Sequence, residues 1–343
     1  MIELDGSEGE GGGQVLRTAL TLSMITGQPF RITRIRARRA KPGLMRQHLV
    51  AVLASAQVSE ATVIGAEVGS QALTFTPKKI KAGDYAFAIG TAGSATLVLQ
   101  TILPALLYAG APSTVRISGG THNPMAPPVE FLQRAYCPLL RAMGAEMDIE
   151  ILRAGFYPAG GGVVLASVAP CSRLRPLDIP VRGKLISGYA ESIVAGIPAG
   201  VAQRELDSIG AGMGWSESQL QERRLPDEQG PGNALLITLE HEHVTEVFTA
   251  FGEKQVKAEA VAQLVLHEAR RYVASNAAIG EHLADQLMLP LALAGGGRYS
   301  IQLVSQHART NAEIIARFLP VRIALEEGDN CVICVVGPKI SKS

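Results

Sequence analysis

The stretch GGGQVLRTALTLSMITG, residues 11–27, contains the pattern that decides the fold of this chain. It runs through about three helical turns of mostly apolar residues, stops at Gly27 and is followed by the strand-like text FRITRI. Similar text recurs at residues 92–110, 129–144 and 279–297, and each copy ends in glycine before another strand-like run. Because a left-handed glycine commonly closes a helix, the recurrence predicts an α/β protein of the α+β type, built from copies of one helix-and-strand unit.

The polar faces of these helices carry side chains at equivalent places. Aligned on Pro104, Pro138 and Pro290, the helices have polar residues four positions earlier, at Gln100, Arg134 and Gln286. Asp285 stands beside Gln286, and Arg17 occupies a comparable place when counted back from the end of the first helix. Related helices should therefore present polar side chains at equivalent points.

One long segment does not match the repeat. Residues 176–275 alternate between strand-like and helical text and have the size of a small domain. We interpret them as an insert in a large domain formed by residues 1–175 and 276–343. The last copy of the repeat then returns to complete the larger core.

Composition places the chain among ordinary globular proteins. It has 343 residues, 47% of them apolar, and no uninterrupted apolar run of the length that spans a membrane. The start, MIELDGSEGEGGGQ, is acidic and glycine-rich, unlike a signal peptide. We therefore expect a cytoplasmic protein with no membrane partner. Four cysteines are too few for a disulfide framework in a chain this long, so reduced thiols are expected.

The net charge of the whole chain is only +1, so any affinity for a polyanion must come from a local cluster of basic residues, and one such cluster exists. Residues 30–46 contain seven basic side chains and no acidic one. Strand alternation through RITRIRARR would place Arg34, Arg36 and Arg38 on one face. Guanidinium groups suit bidentate phosphate contacts. The alternative is a solvated strand face.

The loop GSEGEGGGQ, residues 6–14, precedes the first helix. Its glycines would leave backbone N–H groups free to approach a phosphate at the helix N-terminus. It matches neither the dinucleotide fingerprint nor the Walker GK[ST] motif. Glu10 could supply an oxygen ligand to a magnesium ion held mainly by phosphates, and a solvated glutamate is the alternative.

His307 is the candidate nucleophile. It stands in SIQLVSQHARTN, after a strand-like run and before the helical text NAEIIARF. A histidine at a strand end has a fixed backbone and a ring that reaches ligand. A solvated or core-satisfied histidine is the alternative reading.

The chain resembles the RNA 3′-terminal phosphate cyclase family along nearly its whole length. The segments that carry the resemblance occur in the family's order: DGSEGEGGGQVLRTAL, RARRAKPGL, GTAGSATLVLQTILPALL, GGTHNPMAPP, GFYPAGGG, DEQGPGN, FGEKQVKAE, GEHLADQLMLPLAL and QHARTN. The resemblance implies a large domain of repeated helix–sheet units, related in architecture to the enolpyruvyl transferases, and a smaller inserted α/β domain.

The resemblance also implies roles for particular residues. His307, in the H-x-x-T-N pattern, matches the family's adenylylated histidine. The positions that match nucleotide-contacting residues are Gln100, Pro127, His282, Leu283, Ala284, Asp285, Gln286 and Arg17. Arg36, Arg38 and Gln47 match positions at the substrate phosphate, and Glu10 matches the residue near the metal. The sequence departs from the family at His282, where tyrosine is usual, and at Ala154, where a basic residue is usual.

The implied activity uses ATP and a divalent metal, Mg²⁺ or Mn²⁺, to convert an RNA 3′-terminal phosphate into a 2′,3′-cyclic phosphate. Two alternatives remain. One is a non-catalytic RNA-processing or ribosome-assembly binding protein of the same family, which should lack the nucleophilic histidine. The other is an enolpyruvyl-type transferase, which rests on architecture alone. The sequence leaves open whether the chain forms a homodimer.

Overall fold

The computed structural model describes residues 1–339, in which strands and helices alternate along the chain. The strands are β1 (Ile2–Asp5), β2 (Phe30–Thr33), β3 (Thr62–Ile64), β4 (Leu73–Thr76), β5 (Asp84–Ala88), β6 (Ser113–Gly119), β7 (Met147–Arg153), β8 (Gly162–Val168), β9 (Leu177–Ile179), β10 (Leu185–Ala195), β11 (Leu220–Arg224), β12 (Gly232–His241), β13 (Thr245–Phe251), β14 (Gly297–Ile301), β15 (Val321–Gly328) and β16 (Cys331–Pro338). The helices are α1 (Gln14–Thr26), α2 (Arg46–Ser59), α3 (Ala95–Leu106), α4 (Val129–Phe131), α5 (Cys137–Ala142), α6 (Val201–Met213), α7 (Ala258–Ala274), α8 (Glu281–Ala294) and α9 (Gln306–Phe318). A π-helical turn, Leu132–Tyr136, joins α4 to α5.

Three sheets share one topology. Their strand orders are β1-β2-β4-β3, β5-β6-β8-β7 and β9-β14-β16-β15. In each sheet the first two strands in chain order pair in parallel. The third and fourth strands pair antiparallel with each other, and the fourth also pairs antiparallel with the second. The predicted α+β class of repeated helix–sheet units is therefore confirmed.

The size of the repeating unit differs from the sequence-based expectation. We expected four copies of one helix and one strand, whereas the structure contains three copies of a βαβαββ unit. Two of the four expected copies, residues 92–110 and 129–144, are the first and second helices of the same unit. The helix–strand text looks alike at both places because each helix buries one face against the same kind of sheet.

A fourth sheet, β11-β10-β12-β13, interrupts the third unit between β9 and α8. Helices α6 and α7 pack on it around a second apolar cluster that includes Leu206, Leu235 and Tyr272. Strand β9 belongs to the third unit, because it pairs in parallel with β14. The segment with its own sheet thus extends over residues 185–274, slightly narrower than the predicted 176–275, and the two-domain division itself stays a prediction.

Glycine closes three of the four helices for which it was predicted. Gly27, Gly144 and Gly295 have φ of +70°, +99° and +84°, the left-handed region that closes a helix. Helix α3 instead ends at Leu106, and Gly110 is not left-handed. The segment between them makes a turn before β6, so the prediction that Gly110 closes this helix is wrong.

The basic stretch does not form the long strand that we expected. Strand β2 ends at Thr33, and Arg34 and Arg36 adopt left-handed backbone conformations with φ of +52° and +54°. The prediction of one strand face carrying Arg34, Arg36 and Arg38 is therefore wrong. The chain turns back on itself here, and the arginines point to different neighbours.

Two expectations from composition can be compared with the structure. All four cysteines are free thiols, as predicted. No helix in the described part of the chain is long and apolar enough to cross a membrane.

Candidate active site

His307 lies in the first turn of α9. The helix begins at Gln306, five residues before the helical text that we identified, because Ser305 caps it by accepting a hydrogen bond from the Ala308 N–H at 3.1 Å. The imidazole is half exposed and both of its nitrogens have neighbours. Nδ1 lies 2.6 Å from Gln14 Oε1, and Nε2 lies 3.3 Å from Glu10 Oε2.

Gln14 connects this imidazole to Asp285. Its Nε2 donates to Asp285 Oδ2 at 2.9 Å, so its Oε1 is the atom that faces His307. An amide oxygen and a carboxylate oxygen can both only accept, so both ring nitrogens face acceptors. The contact to Gln14 is the shorter one, and a neutral imidazole that makes this hydrogen bond carries its proton on Nδ1. In that tautomer the lone pair of His307 lies on Nε2.

Asp285 holds three helices together. Burial raises the pKa of its carboxyl group, and the Gln14 hydrogen bond opposes that rise. Asn311 Nδ2 donates to the Asp285 carbonyl at 2.6 Å, and Thr18 Oγ1 donates to Asn311 Oδ1 at 2.8 Å. Helices α1, α8 and α9 thus meet through buried and partly buried polar contacts next to His307.

The glycine loop before α1 lies against α9. Gly9 and Gly11 are left-handed, with φ of +59° and +61°, and a methyl group on Gly9 would overlap the Thr310 side chain. The Glu10 N–H donates to Thr310 Oγ1 at 3.3 Å. This close approach requires glycine, and it brings the Glu10 carboxylate to the imidazole.

Two arginines and a histidine crowd the start of α1. A side chain on Gly13 would meet both His48 and Arg17. Burial lowers the pKa of Arg17, with Glu10 and Asp285 opposing that effect, and burial followed by Arg39 lowers the pKa of Arg36. Burial and like charge both disfavour the charged form of these arginines, and such a cluster of cations is typical of a site that binds phosphate groups.

His48 is neutral at physiological pH in this surrounding. Its side chain is buried, and burial, then Arg17 and Arg36, lower its pKa to about 3. Its Nδ1 accepts from the Met45 N–H at 3.3 Å, which leaves Nε2 next to Gly13. The sequence did not single out this residue, since it looked like an ordinary member of an apolar helix.

The basic residues at 36–39 have different partners. Arg36 donates to the carbonyls of Lys41 at 2.7 Å and Gly43 at 2.9 Å. Arg38 is exposed and donates to the Gly9 carbonyl at 3.1 Å. Arg39, which the sequence analysis did not assign, forms an ion pair with Glu10 Oε2 at 2.5 Å. Only the turn geometry could have distinguished Arg39 from its neighbours.

The remaining predicted residues fall into two groups. Near the start of α3, Gln47 Oε1 accepts from the Ser94 N–H at 2.9 Å, the Pro127 carbonyl accepts from Thr96 Oγ1 at 2.8 Å, and Gln100 bonds to Gln286 of α8. These residues therefore lie along one connected region.

The second group consists of three successive residues of α8. The His282 side chain is exposed, with Nε2 3.9 Å from Glu268. Leu283 and Ala284 are fully buried in the core, so their side chains support the helix and do not face a ligand.

A metal would have few protein ligands here. Among residues 1–339 no group of three or more His, Cys, Asp or Glu side chains is arranged to hold one. Glu10 provides a single, mostly buried carboxylate beside the imidazole. That donor set fits a divalent ion held chiefly by nucleotide phosphates, which needs only one or two carboxylates.

A family model and a curated relative agree on one family. A family model described as RNA 3′-terminal phosphate cyclase matches residues 8–325. A curated protein of that name from Ralstonia nicotianae (strain ATCC BAA-1114 / GMI1000) is 58% identical over 336 residues, which cover 97% of this chain and 96% of that protein. Among solved structures, the enolpyruvyl transferase NikO from Streptomyces tendae matches with a TM-score of 0.27 and 16% identity, over 49% of this chain and 33% of that one.

Proposed function

This chain belongs to the RNA 3′-terminal phosphate cyclase family, and from that membership we propose that it uses ATP to close an RNA 3′-phosphate into a 2′,3′-cyclic phosphate with His307 as nucleophile. Such an enzyme is a ligase that forms a phosphoric ester bond. One observation carries the assignment of the nucleophile: Gln14 accepts from Nδ1 of His307, which directs the Nε2 lone pair toward Glu10 and the arginines.

The first step forms a phosphoramidate. Nε2 attacks the α-phosphorus of ATP, an N–P bond forms, the bond to the bridging oxygen breaks and pyrophosphate leaves. Nδ1–H keeps its hydrogen bond to Gln14 while positive charge develops on the ring. The half-buried carboxylate of Asp285, held by the other end of Gln14, stabilises that charge from the far side of the amide.

The cations of the site would offset phosphate charge. Arg17, Arg36 and Arg39 surround the glycine loop, and their crowding is relieved when anionic oxygens arrive. Glu10 would hold a divalent metal bound mainly by the triphosphate, and that ion would supply further charge neutralisation. Mg²⁺ and Mn²⁺ both suit a carboxylate and phosphate oxygens.

The later steps use the substrate's own groups. An oxygen of the RNA 3′-phosphate attacks the phosphorus of the histidine-bound AMP, the N–P bond breaks, and a phosphoanhydride forms. The adjacent 2′-hydroxyl then attacks the RNA phosphorus, loses its proton and displaces AMP. Because this hydroxyl is held on the same ribose, proximity supplies much of the acceleration.

The test follows the label. Incubation with α-labelled ATP and Mg²⁺ should leave acid-labile, alkali-stable AMP on the protein, and His307→Ala should abolish it. His243→Ala, a change at an exposed histidine of the insert, is the matched control and should label normally. Equal labelling of the His307 variant would overturn the assignment of the nucleophile. A protein that never labels would be the non-catalytic RNA-binding relative.

Two substrates test the last step. A 3′-phosphorylated oligoribonucleotide should become resistant to phosphatase, whereas one with a 2′-deoxy terminal sugar should stop at the adenylylated stage. Cyclisation of both would contradict the proposed displacement by the 2′-hydroxyl. The cytoplasm stays the predicted location, and size-exclusion chromatography with light scattering would determine whether the chain is a homodimer.

A further inference from the structure

Two loops beside the start of α3 expose apolar side chains that the proposed chemistry does not use. Tyr157 is 60% exposed, more than any other aromatic residue in the described part of the chain, and Met125 is 87% exposed. Aromatic side chains make up only 5% of the sequence, and the other exposed one, Tyr108, is 37% exposed. An exposed tyrosine at this place therefore needs an explanation.

The backbone under Tyr157 is firmly held while its ring is free. The Tyr157 N–H donates to the His122 carbonyl at 3.1 Å, and the Gly160 N–H donates to the Phe156 carbonyl at 2.7 Å. The Phe156 ring is buried and stacks on His122 with centroids 4.8 Å apart. The loop is thus anchored on one side and presents Tyr157 on the other.

Both loops converge on the turn before α3. Asn123 Nδ2 donates to the Ala92 carbonyl, and a methyl group on Gly160 would lie 2.8 Å from Ala92 Cα. The Gly120 N–H donates to the Gly93 carbonyl at 2.8 Å. Met125 follows Asn123 by two residues and has a left-handed backbone, with φ of +63°. The two loops that expose these side chains therefore meet at this turn and form one surface beside it.

This surface adjoins the residues assigned to phosphate and nucleotide. Gln47 accepts from the N–H of Ser94 in the same turn, and the Pro127 carbonyl accepts from Thr96 in the first turn of α3. Gln100, one turn further along α3, contacts α8. An RNA end whose phosphate lies near Gln47 would carry its base past these loops.

We propose that Tyr157, flanked by Met125, is the platform on which the 3′-terminal base of the RNA stacks. Every base has a π-face, so stacking on one aromatic ring holds the RNA end without reading its sequence. The anchored backbone means that little conformational freedom is lost when the base arrives. This inference rests on the proposed function, because it places the substrate of that reaction.

The experiment is a double-mutant cycle in which one change is Tyr157→Ala and the other is removal of the terminal base of the RNA. Wild type and Tyr157→Ala are each given a 3′-phosphorylated oligoribonucleotide with a normal terminal base and one whose terminal nucleotide is abasic. Either change alone should lower kcat/KM for cyclisation by about 5- to 150-fold, the range measured for base–aromatic stacking. Tyr157→Ala acting on the abasic RNA should show a kcat/KM little lower than either change alone gives. Tyr157→Phe should keep wild-type activity, and Met125→Gly should show a smaller loss that also disappears with the abasic RNA.

Controls separate this inference from the proposed function. Labelling of His307 by ATP alone should be unchanged in Tyr157→Ala, which also shows that the variant folds. Tyr108→Ala, at the other exposed tyrosine, should leave kcat/KM unchanged. If the losses in kcat/KM caused by Tyr157→Ala and by the abasic RNA multiply when the two are combined, the proposal is overturned. A kcat/KM of Tyr157→Ala on normal RNA within twofold of wild type would also overturn it. A loss that accompanies a change in oligomeric state would identify an interface between two copies and overturn it as well.

Discussion

Gln14 stands between the imidazole of His307 and the half-buried carboxylate of Asp285, with Oε1 2.6 Å from Nδ1 and Nε2 2.9 Å from Oδ2. The three residues come from the starts of three different helices, α1, α9 and α8. One amide thereby sets both the orientation and the tautomer of the histidine. It was absent from the residues singled out in the sequence, although it ends the glycine loop that was.

Replacing Gln14 with leucine removes both hydrogen bonds while keeping similar volume. We expect the single-turnover rate of AMP transfer to His307 to fall by roughly 10- to 100-fold, the loss seen when a functional imidazole loses its orienting partner at metal sites. Gln28→Leu is the matched control, because Gln28 donates to the Phe318 carbonyl at 2.9 Å far from the imidazole. An unchanged transfer rate in Gln14→Leu would show that Gln14 does not position His307.

Arg39 and Arg38 should differ in their effects. Arg39→Ala leaves the mostly buried Glu10 carboxylate without its ion pair, and we expect the AMP-transfer rate to fall by about 10- to 100-fold. Arg38→Ala removes one hydrogen bond at an exposed position and should cost less than about fivefold. Measurement of the transfer rate at saturating ATP decides between them, and a larger loss in Arg38→Ala would favour the sequence-based assignment.

His282→Tyr restores the residue that the family usually has at this position. The side chain is exposed at the start of α8, and a larger aromatic ring there offers more stacking area to a base. We expect the KM for ATP to fall by about two- to tenfold in the labelling reaction. Glu268→Gln, which removes the carboxylate 3.9 Å from the imidazole, should leave that KM unchanged. An increased KM in His282→Tyr would contradict a stacking role for an aromatic ring at this position.

Glu246 makes stability depend on pH. It is 2% exposed, accepts from the Gly280 N–H at 2.6 Å at the start of α8, and burial raises its pKa to about 8. The folded protein therefore holds a proton that the unfolded chain releases above its ordinary pKa near 4.5. This contribution is full below about pH 4.5 and is lost as pH rises toward 8, by about 1.4 kcal/mol for each unit of pKa shift.

Glu246→Gln should flatten that dependence. We expect the Tm of the wild type to fall between pH 5 and about pH 8 more steeply than the Tm of the variant, when both are measured by differential scanning calorimetry. Glu259→Gln, at an exposed carboxylate of α7, should follow the wild-type curve. Parallel curves for wild type and Glu246→Gln would contradict the raised pKa.

Local sequence patterns predicted the helices correctly, but they did not predict the βαβαββ unit that repeats three times. Apolar periodicity and terminal glycines located α1, α5 and α8, since both signals act within one helix. Pairing between β9 and β14 joins residues more than a hundred positions apart, across the whole insert. No local pattern records such a pairing, so the threefold βαβαββ repeat became visible only in the strand order.

The sequence by itself determined the α+β class, the recurrence of helix-and-strand text, the family resemblance and the candidate nucleophile. These depend on composition, periodicity and motif order, which are properties of neighbouring residues. Only the tertiary structure decided which arginine meets Glu10, that Gln14 holds the imidazole, and that Leu283 and Ala284 face the core. The reason is physical: left-handed turns at Arg34 and Arg36 break the strand alternation, and contacts between helix ends depend on how the helices pack.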